Sequence, residues 1–264
     1  MHAYLHFGVR SFRRAITYRA ATLAGMATNF FFGLVRAMIF AAFYEAAVAP
    51  PDMPVEQAVS YVWLVQAILG LGFWPFFSDP FIADIRTGAV AMQLLRPVDY
   101  QGCWFAHSVA RLLQMTLMRG VPIGALAMAL GFLAPPPSWE SAGLFVLSLG
   151  AGMVLAVALA QVTGAIAFWT LDATGPSGLM SVLTMFLSGM LVPIALWPAW
   201  LAEVAHFSPF PGLTDTPLSI YLGRYPGPEA LGAIGLQWLW AAAMLLVARG
   251  LISRGFSRLE IQGG

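Results

Sequence analysis

Lysine is absent from this 264-residue chain, so all 13 of its basic residues other than histidine are arginine. A phosphate-binding glycine loop ends in lysine, and the chain therefore cannot hydrolyse a nucleotide by that route. Cysteine is almost absent too. With Cys103 alone there is no intramolecular disulfide and no cysteine-cluster metal site. His107 and His206 have no metal-ligand spacing to another histidine or to a cysteine, so no metal site is expected and structural roles are read for both. Charge is scarce: Asp, Glu, Lys and Arg make up 9% of the chain, against about a quarter in soluble domains. The apolar runs contain no acid and no paired histidine. That argues against an intramembrane enzyme, which needs convergent acid, base or nucleophilic groups, and no catalytic residue is predicted. No charged ring or carbonyl filter suggests a channel. A net charge of +1 gives no basic surface for nucleic acid. The first twenty residues are broken by Arg10, Arg13, Arg14 and Arg19 and do not read as a cleavable signal peptide.

What remains is apolar. The chain is 59% hydrophobic, with a mean hydropathy of +0.78. At roughly 20 residues per helical crossing, it reads as an all-α integral membrane protein of about six spans with no room for a soluble domain. The expected spans are roughly 21–44, 58–77, 104–133, 143–170, 179–196 and 229–251. Residues 3–19 interleave Tyr4, Phe7, Phe12 and Ile16 with arginines at helical spacing, the pattern of an interfacial helix or a basic anchor. The proline-rich stretch 197–228 is apolar only in pieces too short to cross a bilayer. It reads as a broken hairpin, either an external gate involving Pro198, Trp200, Pro209 and Pro217 or a passive cap. Trp104, Trp139, Trp197, Trp200 and Trp238 fall near expected interfaces, as belt residues do.

Between the second and third spans lies 78–99, SDPFIADIRTGAVAMQLLRPVD, the longest interior stretch unable to sit in lipid. Pro80 and Pro97 bracket it. Phe81, Ile82, Ile85, Ala89, Met92 and Leu95 recur at spacings of three and four, predicting a short amphipathic helix at the water boundary. Such a helix can dock on a partner, with Asp84, Arg86 and Arg96 for ion pairs and Gly88 for close approach, or lie on the membrane alone. Arginines cluster before the first span, in 78–99 and after the last span, while acids dominate the other loops. The positive-inside bias puts both termini and 78–99 in the cytoplasm and 197–228 outside. Arg36 and Arg119 are the charges furthest from water, each costing about 2.5–3.5 kcal/mol near mid-bilayer. With Gln66 and Gln114 they are candidates to line a path for anionic or lipid-like cargo. The alternative is snorkelling or a structural hydrogen bond to Asn29, Gln66, Gln114, Gln161, Thr163, Gln237 or backbone carbonyls.

The layout, the string DIRTGAVAMQLLRPVD and the string SGMLVPIALWPAWL with its later SPF and PLSIYLG resemble an ABC-2 type transporter permease, across essentially the whole of 1–264 as a single transmembrane domain. The resemblance implies a bacterial plasma-membrane exporter subunit. Such a subunit pairs with itself or a sister permease and carries no cofactor, while ATP and Mg sit on separate cytoplasmic ABC ATPases. It makes 78–99 a coupling helix, with Asp84, Ile85, Arg86, Gly88, Leu94, Leu95, Arg96 and Pro97 as coupling residues. An ATP-independent scaffold or channel subunit is the alternative. Membrane lipid is the expected surround, and cargo identity is not legible.

Overall fold

The computed structural model describes residues 19–47, 52–72, 80–95, 97–170 and 172–257. The expected interfacial helix 3–19 lies outside them except for its last residue, as do Arg96 and the C-terminal tail. The described elements are helical and include no strand. In order they are α1 (Arg19–Ala46), α2 (Val55–Gly72), α3 (Pro80–Thr87), α4 (Val90–Leu94), α5 (Tyr100–Met115), α6 (Val121–Ala129), α7 (Trp139–Ala165), α8 (Ala167–Thr170), α9 (Thr174–Leu187), α10 (Ala199–His206), α11 (Asp215–Tyr221) and α12 (Gly227–Phe256). Four stretches are long and apolar enough to cross a membrane: Leu23–Ala46, Tyr100–Ala129, Trp139–Thr170 and Gly227–Phe256. Two shorter apolar helices, Val55–Leu69 and Thr174–Leu187, pack among them.

The core is built on α7. Ser138 caps it by accepting the Ser141 N–H at 3.0 Å. Small residues along it let neighbours approach: a Cβ added at Gly152 would lie 2.9 Å from the Gly212 carbonyl oxygen. α12 packs along α7 more extensively than any other described pair, and α11 lies against it as well. Gln237 of α12 stitches this contact, donating to the Gly212 carbonyl at 2.7 Å and the Ser148 carbonyl at 3.1 Å while accepting from Ser148 Oγ at 2.9 Å.

The stretch from Tyr100 to Ala129 is one rod with a flaw. Between α5 and α6, Thr116–Gly120 forms a single π-helical turn, and the Val121 N–H returns to the Thr116 carbonyl five residues back. Pro122 is the physical reason, because it supplies no N–H to the Met118 carbonyl one α-turn earlier. Gly120 in this turn abuts the Ala67 carbonyl of α2, where a side chain would collide with backbone.

Two expected boundaries shift. The span expected at 179–196 ends as helix at Leu187, because Gly189 takes a φ of +79° and turns the chain. The hairpin region divides into unlike halves. α10 lies at the surface with Pro198 and Trp200 exposed, whereas residues 210–221, Pro217 among them, are buried against α7, and Pro209 is half-buried between them.

Candidate functional site

The expected coupling segment is two helices rather than one. Gly88 has a φ of +75°, which ends α3 and starts the turn into α4. The kink splits the apolar residues into two sets. Phe81, Ile85 and Val90 turn inward and are buried with Tyr100, Cys103, Trp104, Phe168 and Ile252. Met92 and Leu95 turn outward, 69% and 78% exposed, and Leu94, Arg86 and Pro97 are exposed beside them. Ile85 therefore anchors the segment to its own chain and is not part of an outward face, a correction to the single-face reading. Asp84 is half-buried and accepts from Gln93 Nε2 at 3.3 Å, tying α3 to α4 across the kink.

Trp104 is the anchor. Its ring stacks on Phe81 with centroids 5.7 Å apart and an interplanar angle of 10°. Its far edge fills the space above Gly164 of α7, where an added Cβ would lie 2.5 Å from Cη2. It is fully buried, so it is no belt residue. Trp139 and Trp200 are exposed instead. The Tyr100 hydroxyl donates to the Phe81 carbonyl at 3.3 Å. Asp99 caps α5 by accepting the Gly102 N–H at 2.7 Å and pairs with Arg249 of α12. The segment is thus packed against the ends of α5, α7, α8 and α12.

The two deep arginines have different fates. Arg36 of α1 donates to the Met190 and Leu191 carbonyls at 2.6 and 2.8 Å, in the loop that Gly189 opens. Backbone carbonyls thus satisfy it. Arg119 sits in the π-turn and lies across Gly25 of α1, whose added Cβ would be 3.0 Å from its guanidinium carbon. It lines a cavity of about 130 Å³ with Asn29, Gln66, Ala67, Leu69, Met115 and Thr116. Gln114 is half-buried outside that lining, and Arg36 is likewise not part of it. Of the four expected path residues, only Arg119 and Gln66 are brought together.

A family model described as ABC-2 family transporter protein matches residues 55–263, most of the chain. The chain belongs to the ABC-2 transporter family. Proteins of this family are membrane transport subunits that usually work with ABC ATPases. No curated protein matches this ABC-2 chain. The matched region holds both the gripped segment α3–α4 and the Arg119 side of the cavity, whereas α1 with Gly25, Asn29 and Arg36 precedes it.

One charged group of this ABC-2 protein escapes sequence reasoning. Asp215, in the hairpin region, is buried at the start of α11. It accepts the Ile194 N–H at 3.2 Å, lies 3.1 Å from the Tyr61 hydroxyl of α2 and 3.4 Å from Ser219 Oγ. Burial pushes its pKa up, although the hydrogen bonds from Ile194 and Tyr61 oppose the shift. The same Tyr61 hydroxyl is 3.0 Å from the Gly189 carbonyl. The hydroxyl has one proton and faces both acceptors, the Gly189 carbonyl and Asp215 Oδ1, so it joins the two. A lone Asp after a threonine gave no sign of this; only the fold brings Tyr61, Gly189 and Asp215 to one point. Also invisible in sequence is a row of buried hydroxyls on one face of α9 and its end, Ser177, Ser181, Thr184 and Ser188, none with a hydrogen-bond partner among the described residues.

Proposed function

We propose that this chain is the permease subunit of an ATP-driven exporter and that α3–α4 is its coupling element. The observation that carries the reading is the pairing of an outward apolar edge with an inward anchor on one short segment. Met92, Leu94 and Leu95 stand exposed while Phe81, Ile85 and Val90 are locked into the ends of the long helices. A helix lying on a membrane without a partner has no need of a rigid stacked grip behind it. Six helices cross the bilayer: the four long ones and the two shorter apolar ones, α2 and α9. Both termini and α3–α4 face the cytoplasm of a bacterial inner membrane, in keeping with the arginine distribution. ATP and Mg bind to separate cytoplasmic ATPases, and two permeases, identical or sister, complete the assembly. Closure of the ATPase dimer pushes the segment, and Trp104 passes the movement to α5 and α7. The unpartnered hydroxyl row on α9 suits a polar path that opens during this movement.

The test is co-purification of the full chain, in detergent, with an ATPase encoded beside it. The wild type should co-elute with the ATPase. A variant with Met92→Asp and Leu95→Asp, both exposed and so harmless to folding, should lose it. If the wild type binds no such ATPase, or the variant binds as well, the coupling reading is wrong and an ATP-independent membrane role replaces it.

A further inference from the structure

Among the polar groups of this fold, the Arg119 cavity stands out for what lines it. Arg119, Gln66, Asn29 and Thr116 come from three different helical segments, α1, α2 and the π-turn, and each carries an N–H or O–H donor. Among the described residues the lining includes no carboxylate. Arg119 makes no ion pair or side-chain hydrogen bond with any described residue, unlike Arg36, which is held by two carbonyls. Gln66 is 3% exposed, and its Oε1 has no partner among the described residues. Its terminal amide torsion is soft, so the amide can turn a donor toward an occupant. The backbone is specialised here as well. A π-turn, a feature often found at functional sites, carries both Thr116 and Arg119, and Gly25 leaves the space in which the guanidinium lies.

We infer that this cavity is a binding site for one anionic oxygen group, a phosphate or a carboxylate, held by Arg119 with Asn29, Gln66 and Thr116. A guanidinium among apolar helices without a counter-charge is a charge-assisted donor in want of an acceptor. The volume of about 130 Å³ admits a headgroup-sized anion and leaves no room for a large cargo. Gly25 is six residues from the first residue of α1, or about 9 Å along the helix. Two sources could supply such a group, a lipid headgroup or a free anion entering from water. The site stands on this geometry alone and does not depend on the transport reading.

The two sources are separated by two probes on the purified full chain. One arm places the protein in nanodiscs of equal phosphatidylglycerol and phosphatidylcholine and counts lipid retained after exchange into detergent. The other titrates inorganic phosphate and follows the apparent Tm. A lipid headgroup predicts preferential retention of phosphatidylglycerol, reduced at least tenfold by Arg119→Gln and clearly reduced by Asn29→Leu. A free anion predicts a phosphate-dependent rise in Tm that both variants abolish. Arg254→Gln, remote from the cavity, should behave as wild type in both arms. If Arg119→Gln does not fold, Asn29→Leu decides. The inference is overturned if the wild type shows neither effect, or if the variants that fold retain the probes as the wild type does.

Discussion

Replacing Asp215 tests the claim that a buried acid pins the hairpin region to α2. In Asp215→Leu the Ile194 N–H loses its acceptor inside the protein, which costs about 1–3 kcal/mol. Loss of the Tyr61 contact adds about 1 kcal/mol, with Gly189 still available to the hydroxyl. A total of about 2–4 kcal/mol lowers the apparent Tm of a chain this size by roughly 4–16 °C, at about 2–4 °C per kcal/mol. Asp215→Asn keeps the shape and keeps an oxygen for Ile194 and Tyr61, so its cost should stay below about 1 kcal/mol. The pH dependence has a definite sign. The folded protein holds this proton above the pH at which an unfolded aspartate, near 3.9, releases it. Across that window the unfolded chain binds fewer protons, so the Asp215 contribution is fullest below pH 4 and declines as pH rises. The assay is monodispersity on size-exclusion after heating in detergent, from pH 4 to 8. The Asn variant should lack the wild-type decline. An Asn variant as unstable as the Leu variant, or a wild type that gains stability through this contact as pH rises, refutes the reasoning.

The other predictions concern the anchor and the deep charges. Gly164→Ala drives a methyl into Trp104; it should cost about 1–3 kcal/mol as overpacking and depress ATPase stimulation in the assembled complex, read by thermal shift and phosphate release. Arg36→Gln strips charge-assisted bonds from two carbonyls and should destabilise by about 1.5–3 kcal/mol, whereas Arg119→Gln, with no such partner, should change the apparent Tm of ligand-free protein little. Arg249→Gln breaks an exposed pair with Asp99 and should cost less than about 1 kcal/mol, because the Asp99 cap on α5 survives.

Hydrophobic runs make the all-helical membrane class legible, since apolar stretches long enough to cross a bilayer are read directly from the sequence. The outward residues Met92 and Leu95 were legible as apolar positions, but the periodicity could not say that Gly88 would kink the segment and send Ile85 the other way. Trp104 reads as a belt residue in sequence because its partner, Gly164, is 60 positions away and supplies only an absence of side chain. The end of α9 was overrun because LVPIAL is as apolar as a span, while the positive φ of Gly189 leaves no trace in hydropathy. Arg119 and Gln66 stand out in sequence as polar groups in apolar helices. Their meeting across α2 and the π-turn, at the Gly120 contact with Ala67, depends on tertiary approach.

Photo-cross-linking from the outward edge tests the coupling account most directly. Leu95 is replaced by p-benzoylphenylalanine in the full chain, co-expressed with its ATPase, and Trp238, on the exposed side of α12, carries the same probe as control. The account predicts an ultraviolet-dependent adduct between position 95 and the ATPase and none from position 238. An intact complex in which position 95 labels only lipid would contradict it.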